Sequence, residues 1–369
     1  MTLIGLDPPP GQALGRSLRH ALRPSHRPPA GRAAVRAVLA GGLIVVIGVA
    51  CGDLGAVAIA YLGAACSVIF LLGERPRLQL ISLATQAAGA ACGLALAGLL
   101  PALPISQVVA ATAVGVVSGL VGRRGVTAPG FGMMLSIGLA YGQFGGSSLT
   151  WSEQIVWYVL GTAVVALATM ARLPRRRLPE RSGDDRADLP AATFSRSAVD
   201  TGLRLGLGMG LATAVTLALH PSEHAFWLPL TVAAVIRPEY GSVWARTVNR
   251  VGGTVIGAAA AAGLLLVVPT GLPTAGAAAL ALGFAAWTAP RLYGLSIIGV
   301  TASALLSGSI ARTDAVGPGW RLVDTLIGAL IALSVEGLWG HGDRPTRPAI
   351  SRRPRRSDRQ PRDRRPAAP

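Results

Sequence analysis

Lysine is absent from this chain, and acidic residues are scarce beside arginine. The 369 residues include 34 Lys+Arg, all of them arginine, against 17 Asp+Glu, which gives a formal net charge of +17. Charged residues make up only 14% of the chain, whereas 51% of residues are hydrophobic and the mean hydropathy is +0.51. Such a composition excludes an ordinary soluble domain. The basic stretches also lack interleaved aromatic residues, so nucleic acid is not an expected partner.

Cysteine is rare, and the motifs of common catalytic sites are missing. Cys51, Cys66 and Cys92 lie within or at the end of apolar segments, without a CxxC pair or a partnering histidine. A metal site or a disulfide is therefore not expected. The chain contains no Gly-x-Ser-x-Gly, no Gly-x4-Gly-Lys and no His-Glu-x2-His. We therefore expect no enzymatic activity, no catalytic residues and no cofactor.

Long apolar runs recur along the chain, most of them near the length of a bilayer-spanning helix. They predict an all-α polytopic membrane protein with about twelve transmembrane helices, at residues 33–52, 54–72, 79–100, 105–122, 128–146, 153–171, 200–219, 224–236, 247–268, 273–289, 292–310 and 321–340. The arginines cluster in alternate gaps between these runs, which places both termini in the cytoplasm. Exclusive use of arginine hints at a GC-rich bacterial genome, so the bacterial plasma membrane is the expected location.

The apolar runs form two sets of six that resemble each other. Residues 73–93 align with residues 237–257 at an offset of 164, and residues 161–167 align with 328–334 at an offset of 167. Both copies begin on the same side, which predicts two parallel six-helix repeats with a substrate path between them. Such a chain would be a fused pseudo-dimer that acts as a monomer, or a homo-oligomer.

The predicted organisation has five parts. They are a tail at 1–31, a first repeat at 32–172, a cytoplasmic linker at 173–198, a second repeat at 199–340 and a tail at 341–369. Both tails are rich in arginine and proline and carry too few apolar residues to fold alone, so we expect them to be disordered. Their charge, with that of the inner loops, predicts contact with anionic lipids at the cytoplasmic face.

The sharpest motifs lie in the second half. In chain order they are Trp227-x3-Thr231, Arg246-x3-Arg250-x2-Gly253-Thr254-x2-Gly257, Tyr293 with Thr301, and Arg321-x2-Asp324. Positions 246, 250, 253, 254 and 257 share one helix face, where two guanidiniums precede a strip of small residues that lets another helix approach. Arg246 and Arg250 are candidates for binding an organic anion, because a guanidinium offers both charge and a planar fork for a carboxylate. The alternative is that both arginines snorkel at the inner membrane surface and only set the topology.

Two acidic residues lie in the last apolar run, where a span tolerates them only if they are paired or face a cavity. Asp324, with Arg321 and Glu336, is a candidate for proton coupling. The simpler interpretation is that Arg321 and Asp324 form an i,i+3 pair near the outer surface. Glu336 would then lie close to the inner head groups.

The order of the second-half motifs resembles the integral membrane domain of the fusaric acid resistance (FUSC-type) transporters, a family related to the aromatic acid exporters. The resemblance extends over about residues 200–340 and is weak over 33–172, where Ser82 and Gln86 stand at the offsets of the two arginines. It implies membrane export of organic, often aromatic, carboxylates. The candidate substrate-binding residues are then Arg246, Arg250, Gly253, Thr254, Gly257, Trp227, Thr231, Tyr293 and Thr301.

Three functions follow as alternatives. The first is a transporter that exports small organic or aromatic carboxylate anions, driven by the proton gradient. The second is a passive anion channel, as in the more distantly related plant malate transporters. The third is a membrane scaffold or envelope-assembly protein that recruits partners through its arginine-rich tails. We prefer the first.

Overall fold

The computed structural model describes residues 30–69, 76–122, 128–145, 148–171, 196–219, 225–236, 243–310 and 318–339. Within these ranges the regular structure is entirely α-helical, which confirms the predicted all-α class. The predicted tail at 341–369, most of the tail at 1–31 and most of the predicted linker lie outside the described residues. Helix formation begins at Gly31, the last residue of the predicted first tail.

The described residues form twelve helices. They are α1 (Gly31–Cys51), α2 (Leu54–Ile69), α3 (Pro76–Leu99), α4 (Pro104–Val121), α5 (Ala128–Phe144), α6 (Trp151–Met170), α7 (Arg196–Leu219), α8 (Trp227–Val235), α9 (Val243–Val267), α10 (Leu272–Thr288), α11 (Tyr293–Gly308) and α12 (Pro318–Leu338). Each corresponds to one predicted apolar run, because run length is a local signal. The largest shifts are at α7 and α9, where the helix extends beyond the apolar stretch into polar sequence. Helix α7 therefore begins within the segment predicted to be linker.

Several of these helices suit a bilayer. By length and composition, six helices in the described part of the chain can cross a membrane: Gly31–Cys51, Gln79–Leu99, Pro104–Val121, Trp151–Met170, Ala198–Leu219 and Val243–Val267. Three further apolar helices are shorter, namely Leu54–Val68, Leu272–Thr288 and Tyr293–Gly308. Large apolar side chains such as Leu39, Val46 and Leu330 are more than half exposed on the outside of the bundle. This surface fits lipid better than water.

Small residues allow the two halves of the bundle to pack closely. Where α4 meets α7, a Cβ added at Gly119 would lie 2.5 Å from the Cα of Gly202, and one added at Gly115 would lie 2.7 Å from the Cα of Gly206. Helix α1 contacts α10 in a second junction between the halves. On α2, the buried Tyr61 hydroxyl donates a hydrogen bond to the carbonyl oxygen of Ala275 in α10, at 3.2 Å. Helices α2 and α11, and helices α5 and α8, also contact each other between the halves.

Candidate functional site

A cavity lies between the two halves of the bundle. Helices α2 and α5 line it from the first half, and α8, α9, α11 and α12 line it from the second. The volume within it that the centres of water molecules can occupy is about 110 Å³. One water needs roughly 10–15 Å³ of such volume. The cavity therefore has room for several waters or for the small polar end of an organic ligand.

Two arginines contribute the positive charge of the cavity wall. Arg250 comes from α9 and Arg321 from the first turn of α12, and they are only 4% and 1% exposed. They lie close enough for their charges to oppose each other. Nε of both arginines and Nη1 of Arg321 have no hydrogen-bond partner among the described residues. Buried donors of this kind favour an acceptor, above all an anionic one.

Aromatic rings form the wall beside these arginines. The Cζ atom of Arg321 lies 3.4 Å from the ring centroid of Trp227, in a cation–π contact. Trp227 in turn lies 4.0 Å, centroid to centroid, from Phe226, and Phe226 lies 4.8 Å edge-to-face from Tyr141. Tyr61 also lines the cavity. The cavity thus combines positive charge with flat apolar surface.

Helix α8 positions Trp227 against α12. This helix has only nine residues, Trp227–Val235, and all of them are buried. The Thr231 hydroxyl donates a hydrogen bond to the carbonyl oxygen of Trp227 at 2.9 Å, so this buried hydroxyl has its partner within its own helix. A Cβ added at Gly328 of α12 would lie 2.9 Å from the Cβ of Thr231. Thr231 and Gly328 therefore hold the two helices close together, which brings the Trp227 ring to Arg321.

The small-residue strip of α9 packs against α11. A Cβ added at Gly253 would lie 2.6 Å from the carbonyl oxygen of Gly294, and one added at Gly257 would lie 2.9 Å from the Cβ of Thr301. Thr254 and Thr301 are fully buried, and within the described residues their hydroxyls have no hydrogen-bond partner. This close approach fixes α9 and thereby the position of Arg250.

The structure separates the predicted binding residues into two groups. Arg250 and Trp227 line the cavity, whereas Gly253, Thr254, Gly257, Thr231 and Thr301 lie in helix contacts. Tyr293 is partly buried at the start of α11, and Arg246 is 8% exposed, one turn along α9 from Arg250 and outside the cavity wall. The burial of both α9 arginines does not fit the snorkelling alternative, which would leave their guanidiniums exposed.

The acidic candidates occupy different environments. Asp324 is 4% exposed, one turn beyond Arg321 on α12, and attracts the charge of that arginine. Glu336 forms an ion pair with Arg204 of α7, with 3.3 Å between Oε1 and Nη1, and its side chain is 37% exposed. Among the described residues, no group of three His, Cys, Asp or Glu could hold a metal ion. Asp324 does not line the cavity itself, but it lies beside Arg321, which does.

The sequence interpretation did not identify the first-half residues of the wall. Tyr61, Cys66, Met133 and Tyr141 all line the cavity, and none belongs to a recognised motif. Aromatic residues make up only 5% of the chain. Tyr61 and Tyr141, two of the three tyrosines inside apolar runs of the first half, were the available signal, because a buried tyrosine usually has a specific role for its hydroxyl or its ring.

Apolar helices around a buried cationic cavity define a multi-pass helical membrane protein. Residues 211–335 match the family model described as fusaric acid resistance protein-like, so this segment of the chain is similar to that family. The match confirms the predicted family and lies within the predicted second repeat. The match suggests a membrane transporter or resistance protein. No curated protein and no solved structure matches the chain significantly.

Proposed function

We propose that this chain exports small organic carboxylate anions, aromatic acids above all, across the plasma membrane of a bacterium. The observation that supports this proposal is the shared cavity of Arg250, Arg321 and Trp227. A carboxylate between the two guanidiniums would accept charge-assisted hydrogen bonds, each contributing about 1.5–3 kcal/mol. An attached ring would lie against the aromatic wall.

The helix contacts support two six-helix repeats around this cavity. In these repeats, α1–α6 correspond in order to α7–α12. The pairs α3–α5, α4–α7 and α2–α6 then correspond to α9–α11, α10–α1 and α8–α12, and all six pairs are in contact. The cavity wall follows the same exchange. At an offset of 167, its residues Met133, Ile137 and Tyr141 correspond to Val300, Ala304 and Gly308. A substrate path on the pseudo-twofold axis between the repeats fits this pattern.

The proposed repeats differ in charge. Arg250 corresponds to Gln86 at the offset of 164, and Arg321 corresponds to Gln154 at the offset of 167. Gln86 donates a hydrogen bond to Ser82 at 2.9 Å, and both side chains are buried. One anion site per chain is therefore expected, and a single chain contains both walls of the path. This is the arrangement of a fused pseudo-dimer that acts as a monomer.

We assign proton coupling in this proposal to Asp324, because it is buried and attracts the charge of Arg321. Glu336 is less suited, because its carboxylate is paired with Arg204 and partly exposed. Asp324→Asn should remove the dependence of export on a pH gradient while leaving anion exchange measurable. If the pH dependence is unchanged in this variant, Asp324 is not the coupling residue.

Transport by purified protein in liposomes loaded with labelled benzoate tests the function. Arg250→Gln and Arg321→Gln should each slow efflux by about 10-fold or more, which corresponds to a loss of about 1.4 kcal/mol. Arg32→Gln is the matched control, because Arg32 is exposed in the first turn of α1 and lies outside the cavity. Arginine-dependent currents that persist without a proton gradient would identify an anion channel. No movement of benzoate or related acids under any gradient would refute the proposal.

A further inference from the structure

A cysteine lies in the wall of the anion cavity. Cys66, on α2, is 7% exposed and lines the same cavity as Arg250 and Arg321. Cys51 and Cys92 are exposed on the surface of their helices and do not line it. None of the three is in a disulfide. The chain therefore carries one thiol inside the cavity and two outside it.

The arginines determine which reagents reach this thiol. Arg321 is 1% exposed, and its Nε and Nη1 atoms have no hydrogen-bond partner in the described part of the chain. A cleft with charge of one sign and low-dielectric walls raises the local concentration of opposite charges by about 10- to 1,000-fold. Cys66, Arg250 and Arg321 line one cavity, so a small carboxylate drawn into it shares that space with the Cys66 side chain.

We propose that Cys66 is a modification site that electrophilic organic anions alkylate. This inference rests on the proposed anion site. With a haloacetate, the Cys66 sulfur forms a bond to the methylene carbon, the carbon–halogen bond breaks, and the halide leaves with the electron pair while the thiol proton passes to solvent. The resulting carboxymethyl thioether occupies the cavity and blocks it. Reactive acids thus inactivate the protein through the arginines that attract its substrates.

Iodoacetate and iodoacetamide provide a matched test, because the first carries a carboxylate where the second carries a neutral amide. The protein is labelled in lipid nanodiscs, and mass spectrometry measures the rate at each cysteine. At every site, the iodoacetate-to-iodoacetamide rate ratio is divided by the ratio in the unfolded chain. This normalised ratio should be at least about 10-fold higher at Cys66 than at Cys51, the last residue of α1. Arg250→Gln should reduce it, Arg32→Gln should not, and benzoate should slow alkylation of Cys66.

Two results would overturn the inference. One is a normalised ratio at Cys66 equal to that at Cys51. The other is a Cys66 that reacts with neither reagent until the protein is unfolded. Cys66→Ser, whatever its own transport rate, should lose no further activity after treatment with iodoacetate.

The failure of this inference and that of the proposed function can be told apart. Anion-selective alkylation without benzoate transport refutes the transport proposal and leaves the modification site standing. Arginine-dependent transport without selective alkylation refutes the modification site alone.

Discussion

Replacement of Arg321 by glutamine should weaken ligand binding strongly and change the stability of the ligand-free protein only slightly. The guanidinium is 1% exposed and lines the cavity, so a bound carboxylate would accept a charge-assisted hydrogen bond from it. Loss of such a bond removes about 1.5–3 kcal/mol. Since about 1.4 kcal/mol corresponds to a factor of ten, the affinity for benzoate should fall by about 10- to 100-fold.

The stability of the ligand-free protein should change much less. Glutamine loses the cation–π contact with Trp227, worth about 2 kcal/mol when desolvated. It also loses the attraction of Asp324, while the cost of burying a charge beside Arg250 is relieved. Removing one partner of a buried ion pair costs about 3–5 kcal/mol when it leaves an uncompensated charge. Here the charges that remain around position 321, Arg250 and Asp324, are opposite in sign. These opposing effects are similar in size, so the midpoint of thermal unfolding should shift by only a few degrees.

Thermal unfolding in nanodiscs with increasing benzoate measures both quantities. At a benzoate concentration of about 100 times Kd, binding should stabilise the native protein by about 2.7 kcal/mol, and a site 100-fold weaker would gain only about 0.4 kcal/mol. Arg32→Gln should keep the full benzoate-dependent rise in the midpoint of thermal unfolding. The reasoning is refuted if Arg321→Gln also keeps it. A fall of more than about 10 °C without benzoate, several kcal/mol on the usual scale, would show that Arg321 serves the fold.

Three further predictions concern a close helix contact, an ion pair and a helix cap. Gly257→Ala would place a Cβ 2.5 Å from a backbone oxygen of α11 and should cost about 1–3 kcal/mol in thermal unfolding. Gly263→Ala, which meets open space, should be neutral or stabilise by up to about 1 kcal/mol, and an equal loss in both would contradict the packing argument. A double-mutant cycle on Arg204 and Glu336 should give at most about 1 kcal/mol of coupling, because the glutamate side chain is 37% exposed. Thr150→Ala removes the capping box of α6 and should cost about 1 kcal/mol, seen as faster amide hydrogen exchange in its first turn; unchanged exchange would contradict it.

The helices could be predicted because a hydrophobic run is a local property of the sequence. The run at 79–100 corresponds to α3 (Pro76–Leu99), and even the short run at 224–236 corresponds to α8. Helix partners could not be predicted in the same way. Helices α4 and α7 pack through glycines on both sides, and glycine patterns of this kind occur on many of the other helices. A small-residue strip predicts that a helix packs closely but does not identify its partner.

The candidate site was predicted only in part, for a related reason. Arg246 and Arg250 are one turn apart in the same motif, yet only Arg250 lines the cavity, because the neighbouring helices determine where the wall ends. The sequence pattern pairs Arg321 with Asp324, three residues away. Local spacing could not show that Arg321 contacts Trp227, because Trp227 lies on another helix. Tyr61 belongs to the first half, where the family resemblance is weak. Tertiary packing, and not local pattern, brings these residues together.

The proposed repeats provide an argument about why the arginines are present. Where the second half has Arg250 and Arg321, the first half has Gln86 and Gln154, buried in helices with corresponding contacts. Neutral side chains can therefore fill these positions without loss of the packing. Burial of a guanidinium costs several kcal/mol unless partners compensate, and the two cavity arginines also oppose each other. The first half avoids the free-energy cost of burying guanidiniums. The second half accepts this cost, which is most simply explained by ligand binding, because a carboxylate between Arg250 and Arg321 would be attracted to both and would offset their repulsion. On this argument, exchanging both arginines for glutamine, together with Asp324→Asn so that no carboxylate stays buried without the arginine it attracts, should stabilise the ligand-free protein and abolish benzoate binding. A destabilised triple variant would show that the charges serve the fold itself.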